Sequence, residues 1–123
     1  MTAAYARRDW ELAAEALHPD IEWDFTATDW PDQGLSRGRD EVLRFFRRFL
    51  GAWDDYRVDF EDFIPAGDDV VVFVRESGVG KGSGARVEHA WTQLWTVREG
   101  RLVRFRGFSD RDAALAAAGL APE

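Results

Sequence analysis

Residues 87–95 read VEHAWTQLW. Counted by twos, the stretch sets Val87, His89, Trp91, Gln93 and Trp95 on one face of a strand and Glu88, Ala90, Thr92 and Leu94 on the other. A face that alternates large rings with an imidazole and a carboxamide is either a core that tolerates two polar groups or the wall of a pocket that uses them. A strand that only packs would gain by exchanging His89 and Gln93 for aliphatic residues, so the pocket wall explains the pattern better.

Working outward, this strand (85–97) is one of four. YRVDFEDFIP (56–65) and DDVVVFVRES (68–77) precede it, and RLVRFRGFS (101–109) follows. Ala66-Gly67-Asp68-Asp69 and Arg98-Glu99-Gly100 are hairpin turns, and GVGKGSG (78–84) is a longer hairpin tip. Its glycines and lysine lack the spacing and the following helix of a phosphate loop. Upstream, residues 2–17 have helical character, with Trp10, Ala13, Ala14 and Leu17 on one side until His18-Pro19 stops the helix. IEWDF (21–25) is a short strand, and residues 26–38, with Pro31, Gly34 and Gly38, form a loop.

A further helix is expected over 39–53, with Asp40 and Glu41 at its positive end and an apolar stripe of Val42, Phe46, Phe49, Leu50 and Trp53. The C-terminal SDRDAALAAAGL reads as a helix with Ser109 and Asp112 at capping-box spacing. The expectation is one α+β domain over 1–123: a long curved antiparallel sheet wrapped around N-terminal helices, closing as a cone with an open mouth. Mouths of that kind hold ligands.

Composition narrows the function. Sixteen Lys and Arg against 23 acids give a formal charge of −7, which phosphate backbones would repel, so no nucleic-acid partner is expected. The run RFFRRF is the solvated side of an amphipathic helix. With no cysteine and two histidines, disulfides, thiolate chemistry and a structural metal site have little to work with, and no metal is expected. No membrane span and no signal peptide are read, which leaves a cytoplasmic protein as the default. Six Trp and nine Phe exceed the needs of an ordinary core, and several of these rings are expected to line a cavity.

The order of elements resembles the nuclear transport factor 2-like superfamily, also called cystatin-like in shape, which includes SnoaL-like polyketide cyclases and ketosteroid isomerases. The resemblance is carried by RRDWELAAEALHPDIEW, GRDEVLRFFRRF, LWTVREGRLVRF and FSDRDAALAAAGL, nearly the whole chain. It specifies the fold, but the superfamily spans isomerases, cyclases, hydrolases, dehydratases and binders, so activity must be argued from the site.

The resemblance marks three positions. Asp24 falls near the general base of the isomerases; beside Trp23, Phe25 and Trp30 it would be desolvated, or it faces solvent with Glu22 on the other side of its strand. Gln93 falls where those isomerases hold an acid in the oxyanion hole, and its amide could donate to an oxyanion or simply satisfy a backbone neighbour. Asp110 resembles the base of the cyclases, or caps the last helix. The tyrosine donor of the isomerases has no counterpart: its position falls at or before Met1, with Tyr5 about a turn further on.

His89 is either a hydrogen-bonded core residue or a proton shuttle to one of the acids. Arg75, Arg104 and Arg106 either bind an anionic substrate or pair across strands with Asp59, Glu61 or Glu88, and the pairing is the expectation. The implied activity is cofactor-independent acid–base chemistry on a small apolar carbonyl compound, gripped by Trp10, Trp23, Trp30, Phe46, Phe49, Trp53, Trp91, Trp95 and Phe108. The alternatives are a binder of the same shape and an interaction protein with a closed cone. The resemblance also implies a homodimer formed through the outer sheet face.

Overall fold

The structure, a computed structural model, describes residues 10–28 and 34–120. Helix α1 (Trp10–Ala16) leads into strand β1 (Leu17–Ala27), the short β2 (Leu35–Arg37) and helix α2 (Arg39–Gly51). Four long strands follow: β3 (Trp53–Ala66), β4 (Asp69–Gly80), β5 (Arg86–Arg98) and β6 (Arg101–Phe108). Helix α3 (Arg111–Ala117) closes the series. The strands make one sheet in the order β2-β1-β6-β5-β4-β3. Every neighbouring pair is antiparallel except β1 and β6, which run parallel, so the all-antiparallel expectation is corrected at that seam. The long crossover from β1 through α2 and the three hairpins brings β6 back beside β1 in the same direction.

The first strand begins four residues earlier than its apolar core suggests, because Leu17 and Ile21 are both fully buried against the sheet. Pro19 is tolerated there because it lies in the irregular stretch between the Leu17–Leu102 and Glu22–Arg104 pairs, where no ladder bond is lost. The expected loop over 26–38 contains β2, three residues paired antiparallel to β1. Helix α2 ends at Gly51, so Trp53 opens β3 and does not extend the helical stripe; Val42, Leu43, Phe46 and Leu50 are its buried face. The two-residue turn Glu99-Gly100 has positive φ at both positions, as the tightest hairpins require. The 78–84 hairpin tip is tied down where the Lys81 N–H donates to the Ala52 carbonyl at 3.1 Å.

Both faces of the sheet are buried, by different partners. On the inner face, α2 lays Val42, Leu43 and Phe46 over Trp23, Phe25, Val72, Val74, Trp91, Trp95 and Phe105. On the outer face, α3 covers Val71, Phe73, Leu94 and Phe108 with Ala114 and Leu115. The face of β5 that carries Leu94 and Thr92 is therefore core as well, which its mixed composition conceals. The cap of α3 is Asp110, whose carboxylate accepts from the Asp112 N–H at 3.1 Å; the expected cap at Ser109 is off by one residue. Among the described residues no helix is long and apolar enough to cross a membrane.

Gly107 lies at a close-packed point of the inner core. A Cβ at this position would stand 2.9 Å from ring carbons of both Phe25 and Trp91. Gly107→Ala is expected to lower stability by about 1–3 kcal/mol through overpacking, read as a reduced urea midpoint. Gly82→Ala, at a hairpin position with nothing within 4 Å, should stay within about 0.5 kcal/mol of the parent.

Candidate functional site

Alternation along five strands aims a set of side chains into the concavity under α2. On β5 these are Trp91, Gln93 and Trp95; on β4 their cross-strand partners are Val74, Val72 and Val70, and the next inward position is Glu76, opposite His89. Strand β3 adds Tyr56, Val58 and Phe60, β6 adds Phe105, and β1 adds Trp23 and Phe25. Apart from the three valines of β4, these side chains together with Phe45, Phe46 and Phe49 of α2 line a cavity of about 40 Å³. Ten of the 13 lining residues are aromatic, so the two polar ones, Glu76 and Gln93, decide what chemistry the space can do. The half-buried members Phe45, Phe49, Tyr56, Val58 and Phe60 all belong to α2 and β3, which places the mouth between those elements. The volume is that of roughly three water-sized groups, enough for a compact group and too little for a polycyclic body.

Glu76 is 7 % exposed. Its Oε2 accepts from the Tyr56 hydroxyl at 2.5 Å. Burial pushes the carboxyl from its ordinary 4.5 up to about 7, against the opposing pull of the hydrogen bonds from Tyr56 and Trp91. Gln93, also 7 % exposed, accepts the Trp95 indole N–H on its Oε1 at 2.8 Å. An indole nitrogen can only donate, so this bond fixes which end of the amide is oxygen and leaves the NH₂ as the group free to turn to a ligand. His89 is half-buried at the rim, its ring stacked at 6.2 Å on Trp91.

The structure brings together part of the expected site. Trp23, Phe46, Phe49, Trp91, Trp95 and Gln93 line the cavity, and His89 stands beside it across from Glu76. The carboxylates do not join them. Asp24 alternates to the opposite face of β1 from Trp23 and Phe25, and its Oδ1 accepts from the Thr26 N–H and hydroxyl at 2.8 and 2.6 Å, so the expected desolvation beside those rings does not occur. Asp110 is exposed and spent on capping α3. Phe108 belongs to the outer core with Phe73 and Leu94, and Trp53 packs on Phe49 at 6.2 Å without lining the cavity. Trp30 and the side chain of Trp10 lie outside the described residues, as does Tyr5. Arg75 pairs with Glu61 as expected, Arg104 turns instead to Glu22, and Arg106 covers the Phe108 ring. Among the described residues no three His, Asp or Glu side chains gather as metal ligands.

Glu76 was the residue to find. Counting by twos from Val70 through Val72 and Val74 reaches it, but Arg75-Glu76-Ser77 reads as the charged, solvent-facing end of its strand. Tyr56 has the parity of Val58 and Phe60, so alternation does aim it inward. It stands beside the bulge between the Asp54–Val79 and Arg57–Ser77 pairs, with Asp55 at φ 48°, at the start of its strand, where it reads as a strand end and not as part of a wall.

A family model described as the SnoaL-like domain matches residues 1–105. An NTF2-like protein from Burkholderia thailandensis is 33% identical, the match covering 96% of this chain and 90% of that one with a TM-score of 0.79. A protein of ketosteroid isomerase-like fold from Catenulispora acidiphila, solved in complex with trimethylamine, is 18% identical over 96% of this chain and 88% of that one, TM-score 0.75. An M. tuberculosis LEH-like epoxide hydrolase is 18% identical over 86% and 74%, TM-score 0.69. The last two likenesses are of fold alone. No curated protein matches.

The raised affinity of Glu76 for its proton is open to direct measurement. Between pH 4.5 and about 7 the folded chain holds a proton that the unfolded chain has released. Stability therefore falls as pH rises through that window, and the loss is complete above it. About 2.5 pH units correspond to roughly 3 kcal/mol. Glu76→Gln keeps an acceptor for Tyr56 and cannot ionise. Urea titrations should show the variant gaining on the parent as pH rises from 4.5 to 8, by up to roughly 3 kcal/mol. A gap that does not change with pH would mean an ordinary carboxylate.

Proposed function

The chain belongs to the SnoaL-like domain family, and on that premise we propose that it is an acid–base enzyme acting on a small, mostly apolar carbonyl compound. The observation that carries this reading is the Glu76 carboxyl, buried in an aromatic cavity and balanced near neutral pH. A group so poised is half ionised at working pH, so it can both take and return a proton. In the proposed reaction the Glu76 carboxylate removes a proton from the carbon next to the carbonyl. The electron pair moves to the oxygen, which becomes an enolate held by the NH₂ of Gln93, and the protonated Glu76 then delivers the proton to its new position. Tyr56 holds Glu76 in place through its short hydrogen bond. The rings supply grip without competing for the proton. This chemistry is carried by the chain's own groups and calls for no cofactor.

A second reading, a module that binds without reacting, is favoured by one observation: the cavity is small and Phe45 and Phe49, stacked at 5.8 Å, narrow its mouth. The two separate by deuterium exchange. Small ketones incubated with the protein in D₂O should gain deuterium next to the carbonyl, followed by proton NMR. Glu76→Gln should slow that exchange by about 10²–10⁴-fold, and Gln93→Leu by about 10²-fold or more. Asp24→Asn and Asp110→Asn should leave it within about twofold, since neither carboxylate reaches the cavity. Binding with no exchange in the parent would select the binder.

A further inference from the structure

Trp23 presents a polar atom with no use in the fold. The residue is 4 % exposed and lines the cavity, yet its indole N–H is fully buried with no hydrogen-bond partner among the described residues. Nearly all buried donors in native proteins are paired, and one that is not calls for an explanation. The ring is also unusually well fixed. It stacks on Phe105 at 3.8 Å with 9° between the planes, and meets Phe46 edge-on at 5.1 Å and Phe25 at 6.0 Å. A donor held that rigidly, buried and left unpaired is arranged for a partner that arrives from outside the chain. The edge-on contact with Phe46 can offer the N–H a π face, which is a second-order substitute for an oxygen.

We propose that the Trp23 indole N–H is the second hydrogen-bond donor to the ligand oxygen, opposite Gln93, so that the cavity selects compounds carrying an acceptor oxygen over hydrocarbons of equal shape. This deepens the carbonyl reading and rests on it. Trp23 comes from β1 and Gln93 from β5, on either side of β6, where Trp23 faces Phe105 and Gln93 faces Gly107, the glycine that leaves room between the two walls. Neither donor carries charge, and among the described residues no Lys or Arg lines the cavity. The lining therefore suits a neutral carbonyl that gains charge only in the reaction, and it gives a resident carboxylate ligand no countercharge. Of the site's acceptors, Gln93 Oε1 is engaged by Trp95 and Glu76 Oε2 by Tyr56, which leaves Glu76 Oε1 for the proton that the reaction moves.

The test compares cyclopentanone with methylenecyclopentane, which differ in an oxygen against a CH₂. Binding is followed by tryptophan fluorescence and by the indole ¹⁵N–¹H resonance of Trp23, identified through its nuclear Overhauser contact to Phe105. The ketone should bind about tenfold or more tightly than the hydrocarbon. The Trp23 resonance should move downfield with the ketone alone. In Trp23→Phe the preference should shrink to about twofold; the wild-type resonance decides the matter should that variant not fold. Equal binding of both probes overturns the proposal and leaves the pocket standing. A ketone preference with an unmoved Trp23 resonance also overturns it, assigning the oxygen to other donors. Binding of neither probe removes the proposal and the small-molecule reading together.

Discussion

The stack of Trp23 on Phe105 is the contact on which the cone depends. It joins β1 to β6 at the one parallel seam, and its Cα partners face each other directly in the register. Without it, β1 and β2 would be attached to the meander only through a single ladder, and α2 would lose the indole that Phe46 packs on. Phe46 packs edge-on against the same indole, so one side chain holds a strand, its parallel neighbour and the covering helix in fixed relation. Buried aromatic pairs of this kind add about 0.5–1.5 kcal/mol beyond their area, but the larger consequence is geometric. The cavity keeps its shape because its walls are rings locked against other rings.

The same packing explains why the residual space is small. A concavity lined by ten rings could be filled completely, as interiors usually are. It is not, because the ring run is interrupted by Glu76 and Gln93, whose polar ends cannot pack as hydrocarbon and are held back by Tyr56 and Trp95 respectively. The hydrogen bonds thus decide where the void falls. A larger ligand would have to displace the half-buried Phe45 and Phe49, which lie at the mouth on an exposed helix face and are the lining residues with least to lose by moving.

Much of the fold could be read along the chain. Strict alternation and tight turns placed β3 to β6 within a few residues, and the apolar spacing placed α2. The inward face of β5 was legible because Trp91, Gln93 and Trp95 recur at a period of two. The site was harder for a physical reason. Whether Asp24 or Glu76 faces the cavity depends on strand register and on which face meets a helix, and neither is local. Asp24 sits among aromatic neighbours in sequence and yet points away from them, because alternation outranks proximity. Glu76 sits among charges in sequence and yet is buried, because Tyr56 of the neighbouring β3 and Trp91 of β5 close on it from either side. Phe108 was lost to the outer core because α3 covers a sheet face whose composition looked only half apolar.

Burying a carboxyl is costly, and a fold that merely needed to fill the space beside Tyr56 would do better with Gln or Leu. The cost is lowered here because the proton stays on up to about pH 7: a neutral acid hydrogen-bonded to a phenol is a much cheaper interior group than a carboxylate. That compromise has a chemical consequence. A fully solvated Glu would be ionised throughout the neutral range and a deeply isolated one would never ionise, whereas Glu76 lies between, with desolvation and the Tyr56 and Trp91 hydrogen bonds pulling in opposite directions. Either force alone would fix one protonation state. Their opposition is what keeps the proton transferable, and it ties the reactivity of the cavity to the packing that encloses it.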